Sequence, residues 1–488
     1  MSDEIVGLAQ AKGLRALRLP LLAQHSKRIF KALAHRSDAI VLIIALALIV
    51  SVPQSLLHGY HYVEGLTVTV AQSALDDGNW FSQHMYNLRW IERPMLLSWV
   101  IAALSMPFGQ VSPFIARLPV VLSLVAGTVL IWRAVRPNAS PEAACFGALL
   151  FLACPLVMRY YVTSVADLPL AVLLFGAFLV WWNAYIAERL TVGRWIIIGS
   201  ILAIAALMKG PQPTAYFFLG IFVFFSLTSE WRQFPGLILA GCIATVPTAL
   251  WYAHVFVAGD QGEWLRYTRL SSNGVVWPHP FANGADFFFE CLPAALLAAA
   301  LPFADFSAME TKPRRHFILA VSCYALTCTL VVLFWPAEVN PRYILPAVLP
   351  LCVLGGVAFD ALSKRMAPFV ATVGVLVAAL LGYAIFHSMS DVFLTPGYIR
   401  SKVDGAKIAT LVKEAPAPVY RTGWDVALNE LPYVRVPVMT ITPNQIANIT
   451  RPAWLVAPET DARAMLARSH GLMTSVLAFN HFALLRLN

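Results

Sequence analysis

The feature that most limits what this chain can fold into is its succession of apolar runs. Residues 38–57, 114–133, 143–159, 168–187, 193–208, 213–228, 235–256, 286–303, 316–336, 343–360 and 368–388 are each nearly free of charge. A helix needs roughly 20 apolar residues to cross a bilayer. With 59% hydrophobic and only 12% charged residues in 488, the composition excludes a soluble globular fold. The runs predict an all-α polytopic membrane bundle of about 11–13 transmembrane helices. Several runs are short, so tilted, buried or broken helices are expected among them.

Loop charge sets the expected orientation. The run from Met95 to Phe108 is short and follows Pro94, which marks it as interfacial. Leaving it out of the span count puts Arg133 with Arg136, Arg189 with Arg194, Arg232, Lys312 with Arg314 and Arg315, and Lys364 with Arg365 on one side. That is the cytoplasmic side by the positive-inside rule, and it accounts for the net charge of +9 without nucleic acid. In the leader, residues 1–37, Leu14, Leu17, Leu21 and Leu22 recur among Arg15, Arg18, Lys27 and Arg28. They read as a basic amphipathic helix on the cytoplasmic surface, or as a disordered basic tail that orients the first span. Residues 38–388 form the expected transmembrane domain, with an outer loop at 58–113. Residues 389–488 change composition, and short β-like runs around a helical stretch at Asp461–His470 predict a small periplasmic α/β domain. The seven cysteines show no CxxC spacing and read as core-filling thiols.

Ionisable residues at membrane depth are costly, so their default reading is functional. The stretch Asn87–Pro94 carries Arg89, Glu92 and Arg93 at an expected membrane surface, and Glu64, Asp167, Lys209, Arg266, Arg269, His279 and Arg342 share that outer face. Carboxylates facing several cations suit a site that binds phosphate and handles a hydroxyl or a sugar. Asp167 also reads as a helix N-cap, and Lys209 as a snorkelling lysine at a helix end. Tyr343 offers a ring for a sugar or a lipid phosphate. His279 has no second histidine at ligand spacing, so the sequence points to no metal site or cofactor and leaves a divalent ion open. A transporter would use similar residues, but its charges lie nearer the midplane of inverted halves, a pattern not found here.

The order of these features resembles the GT-C glycosyltransferases of the protein-mannosyltransferase and aminoarabinose lipid A transferase type. Val63-Glu64 matches the family's Asp-Glu pair, Gly78-Asn79-Trp80 its G-D-W triplet, and Trp90-Ile-Glu92-Arg93-Pro94 its Y-F-E-K-P-P-L stretch. Phe108-Gly109, Arg117-Leu-Pro119, Ala166-Asp167-Leu-Pro-Leu, Lys209-Gly210-Pro211 and Pro341-Arg342-Tyr343-Ile-Leu-Pro346 follow in the family's order. The resemblance implies a multi-pass enzyme of the bacterial inner membrane that moves a sugar from a polyprenyl phosphate to a periplasmic acceptor. Lipid A or core oligosaccharide, another glycan, or a protein hydroxyl would serve as that acceptor. It implies Glu64 and Asp167 as catalytic acids, and Glu92, Arg93, Lys209, Arg269, Arg342 and Tyr343 around the lipid phosphate. Two departures stand out: Val63 replaces the first acid of the pair, and Arg266 occupies a histidine position, against a zinc site like that of the aminoarabinose transferase. With Val63 in that place, a scaffold with a decayed site is a further reading.

Overall fold

The structure is a computed structural model that describes residues 39–257, 259, 262, 264, 280–304, 311–334, 340–363, 365–394, 396–469 and 472–488. The leader 1–37 lies outside them. Eight described helices are long and apolar enough to cross a membrane: α1 (Ala39–Leu57), α4 (Pro113–Val135), α7 (Asp167–Ile186), α8 (Val192–Lys209), α10 (Phe234–Val257), α13 (Lys312–Leu333), α14 (Leu345–Leu362) and α15 (Ala367–Leu394). The protein is therefore a multi-pass membrane protein.

The remaining expected spans are the short or broken ones. The run 143–159 divides at Cys154 into α5 (Pro141–Leu152) and α6 (Pro155–Tyr160), because Pro155 offers no N–H to continue the ladder. Thr214–Thr228 forms α9. The run 286–303 is bent by 106° between α11 (Pro280–Glu290) and α12 (Ala294–Ala300), so it is not one straight span. Leu96–Ser105 is the short helix α3, which packs between α2 (Glu64–Asp77) and α4.

Local chemistry sets several helix starts. Ser112 accepts from the Ile115 N–H ahead of Pro113, and Ser140 does the same for Ala143 ahead of Pro141. Lipid tails are as apolar as leucine, so contact between spans depends on close packing of small residues. Gly356 on α14 shows this, since a Cβ there would lie 2.9 Å from the Ala143 carbonyl of α5. α14 is accordingly the central helix, buried over most of its length, whereas α1, α10 and α15 turn their larger face outward.

The tail begins with α16 (Pro396–Glu414) and continues as a mixed five-stranded sheet. Strands β3 (Val419–Arg421), β4 (Val438–Thr440), β5 (Ala453–Pro458), β6 (Met473–Ala478) and β7 (Phe482–Leu487) lie in the order β4-β3-β5-β7-β6. β3 pairs in parallel with β4 and β5, and the other two ladders are antiparallel. The expected helix is α17 (Glu459–Arg468), crossing between β5 and β6. Within this sheet β6 is the strand the sequence pattern did not reveal, and none of its residues is buried.

This domain grips the segment that follows α1. Asn429 Oδ1 accepts from Gly65 N at 3.0 Å, and its Nδ2 donates to the Tyr62 carbonyl at 2.9 Å. Tyr433 Oη accepts from Tyr60 N, and Ser401 Oγ donates to the Tyr60 carbonyl. Near it, β1 (His84–Met85) and β2 (Leu88–Arg89) form a small hairpin, tied to β4 by two hydrogen bonds between Asn87 and Thr440.

Candidate active site

Asp167 opens α7, Lys209 closes α8, and Arg342 with Tyr343 sits on a 3-10 turn leading into α14. Asn340 shapes that turn by accepting from Arg342 N. Gly210, with φ at +98°, ends α8 as only glycine does comfortably, leaving Lys209 at its tip. The four side chains converge. Lys209 Nζ donates to Asp167 Oδ1, Arg342 Nε lies 3.7 Å from Asp167 Oδ2, and Lys209 Nζ stands 4.0 Å from the centre of the Tyr343 ring. Asp167 is nearly fully buried, while Lys209 and Arg342 keep slight exposure.

The two alternative readings of the sequence are settled by these contacts. Asp167 does not cap α7, since Ala166 stands at the cap without a side-chain bond, and the Asp167 carboxylate is turned onto the two cations. Lys209 points into the bundle rather than outward. One carboxylate between two cations leaves the cluster with a net positive charge, an arrangement that receives an anion.

Glu92 and Arg93 form a half-buried pair at 2.8 Å on the segment after the hairpin. Arg93 lies within electrostatic range of Lys209, with Glu92 offsetting its charge. The Glu92 carbonyl accepts from Trp264 Nε1 at 3.1 Å and from Tyr252 Oη at 3.4 Å, which fixes this rim to α10. Arg269 lies outside the described residues, as do Arg266 and His279.

Glu64 is placed differently from Asp167. It is fully buried at the start of α2, and Arg117 Nε and Nη2 donate to its two oxygens at 3.0 and 2.7 Å. Ser164 N donates to Oε1 at 2.7 Å and His61 N to Oε2 at 3.0 Å. Burial alone would raise this carboxyl, but Arg117 and His61 hold it well below the usual carboxylate range. Arg117 also donates to the carbonyls of Gln54, Ser55, His58 and Gly59, so it staples the exit of α1. Val63 is half-buried against the main apolar core.

Sequence reading gave Arg117 no site role, although a cation inside the apolar run 114–133 was the available signal. It also passed over His61, whose Nδ1 lies 3.0 Å from Glu64 Oε2 and whose Nε2 lies 2.9 Å from Thr163 Oγ1. No spacing rule links His61 to Thr163; only the fold brings them together. Among the described residues, no group of three His, Cys, Asp or Glu side chains is arranged to hold a metal ion.

The bundle, its outer hairpin segment and the sheet domain share the fold of an aminoarabinose transferase, and part of the bundle matches a mannosyltransferase family. Residues 92–253 match the family of dolichyl-phosphate-mannose-protein mannosyltransferases. The chain is similar to the undecaprenyl phosphate-alpha-4-amino-4-deoxy-L-arabinose arabinosyl transferase of Erwinia tasmaniensis, 27% identical over 299 residues, 58% of this chain and 52% of that one. The enzyme of that name from an Enterobacter species is 25% identical over 306 residues, again 58% of this chain and 52% of the relative. The chain thus spans about half the length of the curated relatives it matches. Its fold matches ArnT of Cupriavidus metallidurans, crystallised in the apo state and bound to undecaprenyl phosphate, with a TM-score of 0.73 at 18% identity, over 92% of this chain and 98% of that one. An Archaeoglobus fulgidus oligosaccharyltransferase is more distant, with a TM-score of 0.51 at 12% identity over 84% of this chain and 64% of its own.

Proposed function

We propose that this chain is an integral membrane glycosyltransferase that moves one sugar from a polyprenyl-phosphate donor to an envelope acceptor at the periplasmic face of the bacterial inner membrane. The observation that carries this reading is the net-positive cluster of Asp167, Lys209, Arg342 and Tyr343 at the ends of three helices. The distribution of basic loops supports a periplasmic position for that cluster. The similarity to undecaprenyl-phosphate-dependent transferases supports the donor class.

In this reading the donor phosphate lies against Lys209 and Arg342, with Arg93 at the rim. As the bond from the anomeric carbon to the phosphate oxygen breaks, negative charge grows on the phosphate. Cations fixed in advance stabilise that charge without reorganisation. Asp167 holds Lys209 and Arg342 in place and prevents their mutual repulsion from separating them. Glu64, with both oxygens engaged, acts as a positioning residue that locks the segment after α1 to the start of α7 through Ser164.

The test is reconstitution of the purified protein with a polyprenyl-phosphate sugar labelled in the sugar, and with envelope extract as acceptor. Release of polyprenyl phosphate and label on the acceptor are expected from wild type, and a loss of at least tenfold from Lys209→Gln. Label carried across the vesicle wall without any release of polyprenyl phosphate would instead mark a transporter.

A further inference from the structure

A second chamber, with a mixed polar and apolar lining, lies between α1, α6 and α15 and shares no lining residue with the charged cluster. It has a volume of about 300 Å³ and is lined by Gln54, His58, His61, Arg159, Tyr383 and His387 among others. No carboxylate is among its lining residues. Its cations are already matched: Arg159 pairs with Glu290 at 2.7 Å, and Arg117 behind the loop is taken up by Glu64 and four carbonyls. His58 is buried beside Arg117, and these two effects push its imidazole down to about 3, so it stands in the chamber as a neutral group. What remains is an amide, imidazoles and phenols set among the apolar side chains of Pro155, Met158, Val162 and Leu380, which suit hydroxyl groups and the apolar faces of a sugar ring rather than a phosphate.

One imidazole in this chamber is oriented for proton transfer. His61 keeps part of its side chain exposed, at 22%, and presents Nδ1 to Glu64 Oε2 at 3.0 Å. A carboxylate on Nδ1 fixes the tautomer that leaves Nε2 as an acceptor, and it stabilises the imidazolium once a proton arrives. Nε2 is occupied by the Thr163 hydroxyl at 2.9 Å, but that hydroxyl has a second acceptor in the Arg159 carbonyl at 3.3 Å. Thr163 can therefore turn to Arg159 when another hydroxyl arrives. Tyr62 also lines the chamber and packs on Tyr160, 5.9 Å between ring centres; Tyr160 in turn feels the charges of Arg342 and Asp167. The Tyr62–Tyr160 pair thus links the chamber wall to the side of the bundle that carries Asp167 and Arg342.

We infer that this chamber receives a neutral, hydroxyl-bearing glycan acceptor and that His61, oriented by Glu64, accepts the proton of the attacking hydroxyl. This rests on the transferase reading above. The acceptor O–H bond breaks, with its proton passing to His61 Nε2, and the oxygen forms a bond to the anomeric carbon. The bond from that carbon to the phosphate oxygen breaks, and its electron pair leaves with the polyprenyl phosphate, which takes up a proton in turn. The groups around His61 that could alter its protonation are Glu64 on α2, Arg117 on α4, Arg159 and Thr163 on and after α6, His387 on α15, and His58 and Tyr62 in its own loop.

The experiment uses the full-length protein in proteoliposomes with a labelled polyprenyl-phosphate sugar. The acceptors are the neutral and the phosphate-bearing glycolipid fractions of a bacterial envelope extract, separated by anion exchange. Label is expected in the neutral fraction. His61→Gln should lower kcat by about 10²–10⁴-fold with donor KM within about twofold, as expected of a base that binds no donor. It should also flatten the acid limb of the pH–rate profile, which a merely structural substitution would leave in place. His61→Asn, a smaller isostere of the neutral ring, should behave alike if the variants are folded, and an unchanged donor KM shows that they are. Transfer to the phosphate-bearing fraction alone, or a wild-type pH profile and kcat in both variants, overturns this inference and leaves the transferase reading intact. A wild type that releases no polyprenyl phosphate with either fraction overturns both.

Discussion

Arg117 and Glu64 meet as a two-pronged ion pair with both side chains fully buried, joining α4 to the first turn of α2. Removing one partner of such a pair leaves a charge without compensation in a dry site, which costs about 3–5 kcal/mol. Glu64→Gln and Arg117→Met should each lower the unfolding midpoint in detergent sharply. The double variant should be less damaged than the sum of the two, because it buries no lone charge. Additive losses would show that the pair acts as two independent contacts.

The same pair sets a pH limit. The folded-state carboxyl of Glu64 is depressed, so its contribution to stability is complete above the ordinary carboxylate value and is lost as pH falls from there through the depressed folded value. Unfolding midpoints of wild type should therefore be flat with respect to this group near neutrality and decline below about pH 4. Midpoints of Glu64→Gln, followed over the same pH series, should show a shallower decline. Parallel curves would mean that other carboxylates govern acid unfolding.

At the neighbouring cluster, the proposed function gives Asp167 and Lys209 opposite relations to an incoming phosphate. Lys209→Gln removes a charge-assisted hydrogen bond, typically about 1.5–3 kcal/mol, so undecaprenyl phosphate should bind about 10–100-fold more weakly. Asp167→Asn removes the anion that competes for Lys209 and Arg342. It should bind undecaprenyl phosphate at least as tightly as wild type while turning over more slowly, because the two cations lose their fixed spacing. Equilibrium binding of the lipid phosphate to each variant in detergent separates these effects from turnover. Weaker binding in Asp167→Asn would show that the carboxylate supports the site by packing rather than by charge.

The cluster was legible in the sequence because its residues interrupt apolar runs, where charge has few structural excuses. Asp167, Lys209, Arg342 and Tyr343 fall at helix ends fixed by Pro169, Gly210 and Pro341, so both the residues and their shared end of the bundle could be read from the chain. The mode of engagement was not legible. Glu64 and Asp167 look alike as acids at helix starts, and only the approach of Arg117 and Ser164 in three dimensions shows that Glu64 is saturated. The bend between α11 and α12 was hidden for a related reason: both halves are apolar, and periodicity does not report a change of direction. Strands β3, β4, β5 and β7 of the tail were legible as short β-like runs, and β5 and β7 are buried almost throughout, whereas β6 has no buried residue.

The sheet domain reaches the site through one side chain in particular. Asn429 spans the loop after α1, accepting from Gly65 N and donating to the Tyr62 carbonyl, while the Gly65 position lies so close to the Leu428 carbonyl that a Cβ would sit 1.9 Å from it. Loss of the Asn429 side chain leaves two backbone groups of the loop without these partners, at about 1–3 kcal/mol for a group that stays buried. Asn429→Ala should therefore loosen the loop that carries Tyr62 and Glu64 without unfolding the bundle, and Gly65→Ala should do so more severely by pushing the two apart. Hydrogen exchange read by mass spectrometry is expected to rise in the segment from His58 to Glu64 and stay at wild-type levels in α14. A rise spread evenly over the spans would instead make the tail a general stabiliser of the bundle, and the loop one of many elements that lean on it.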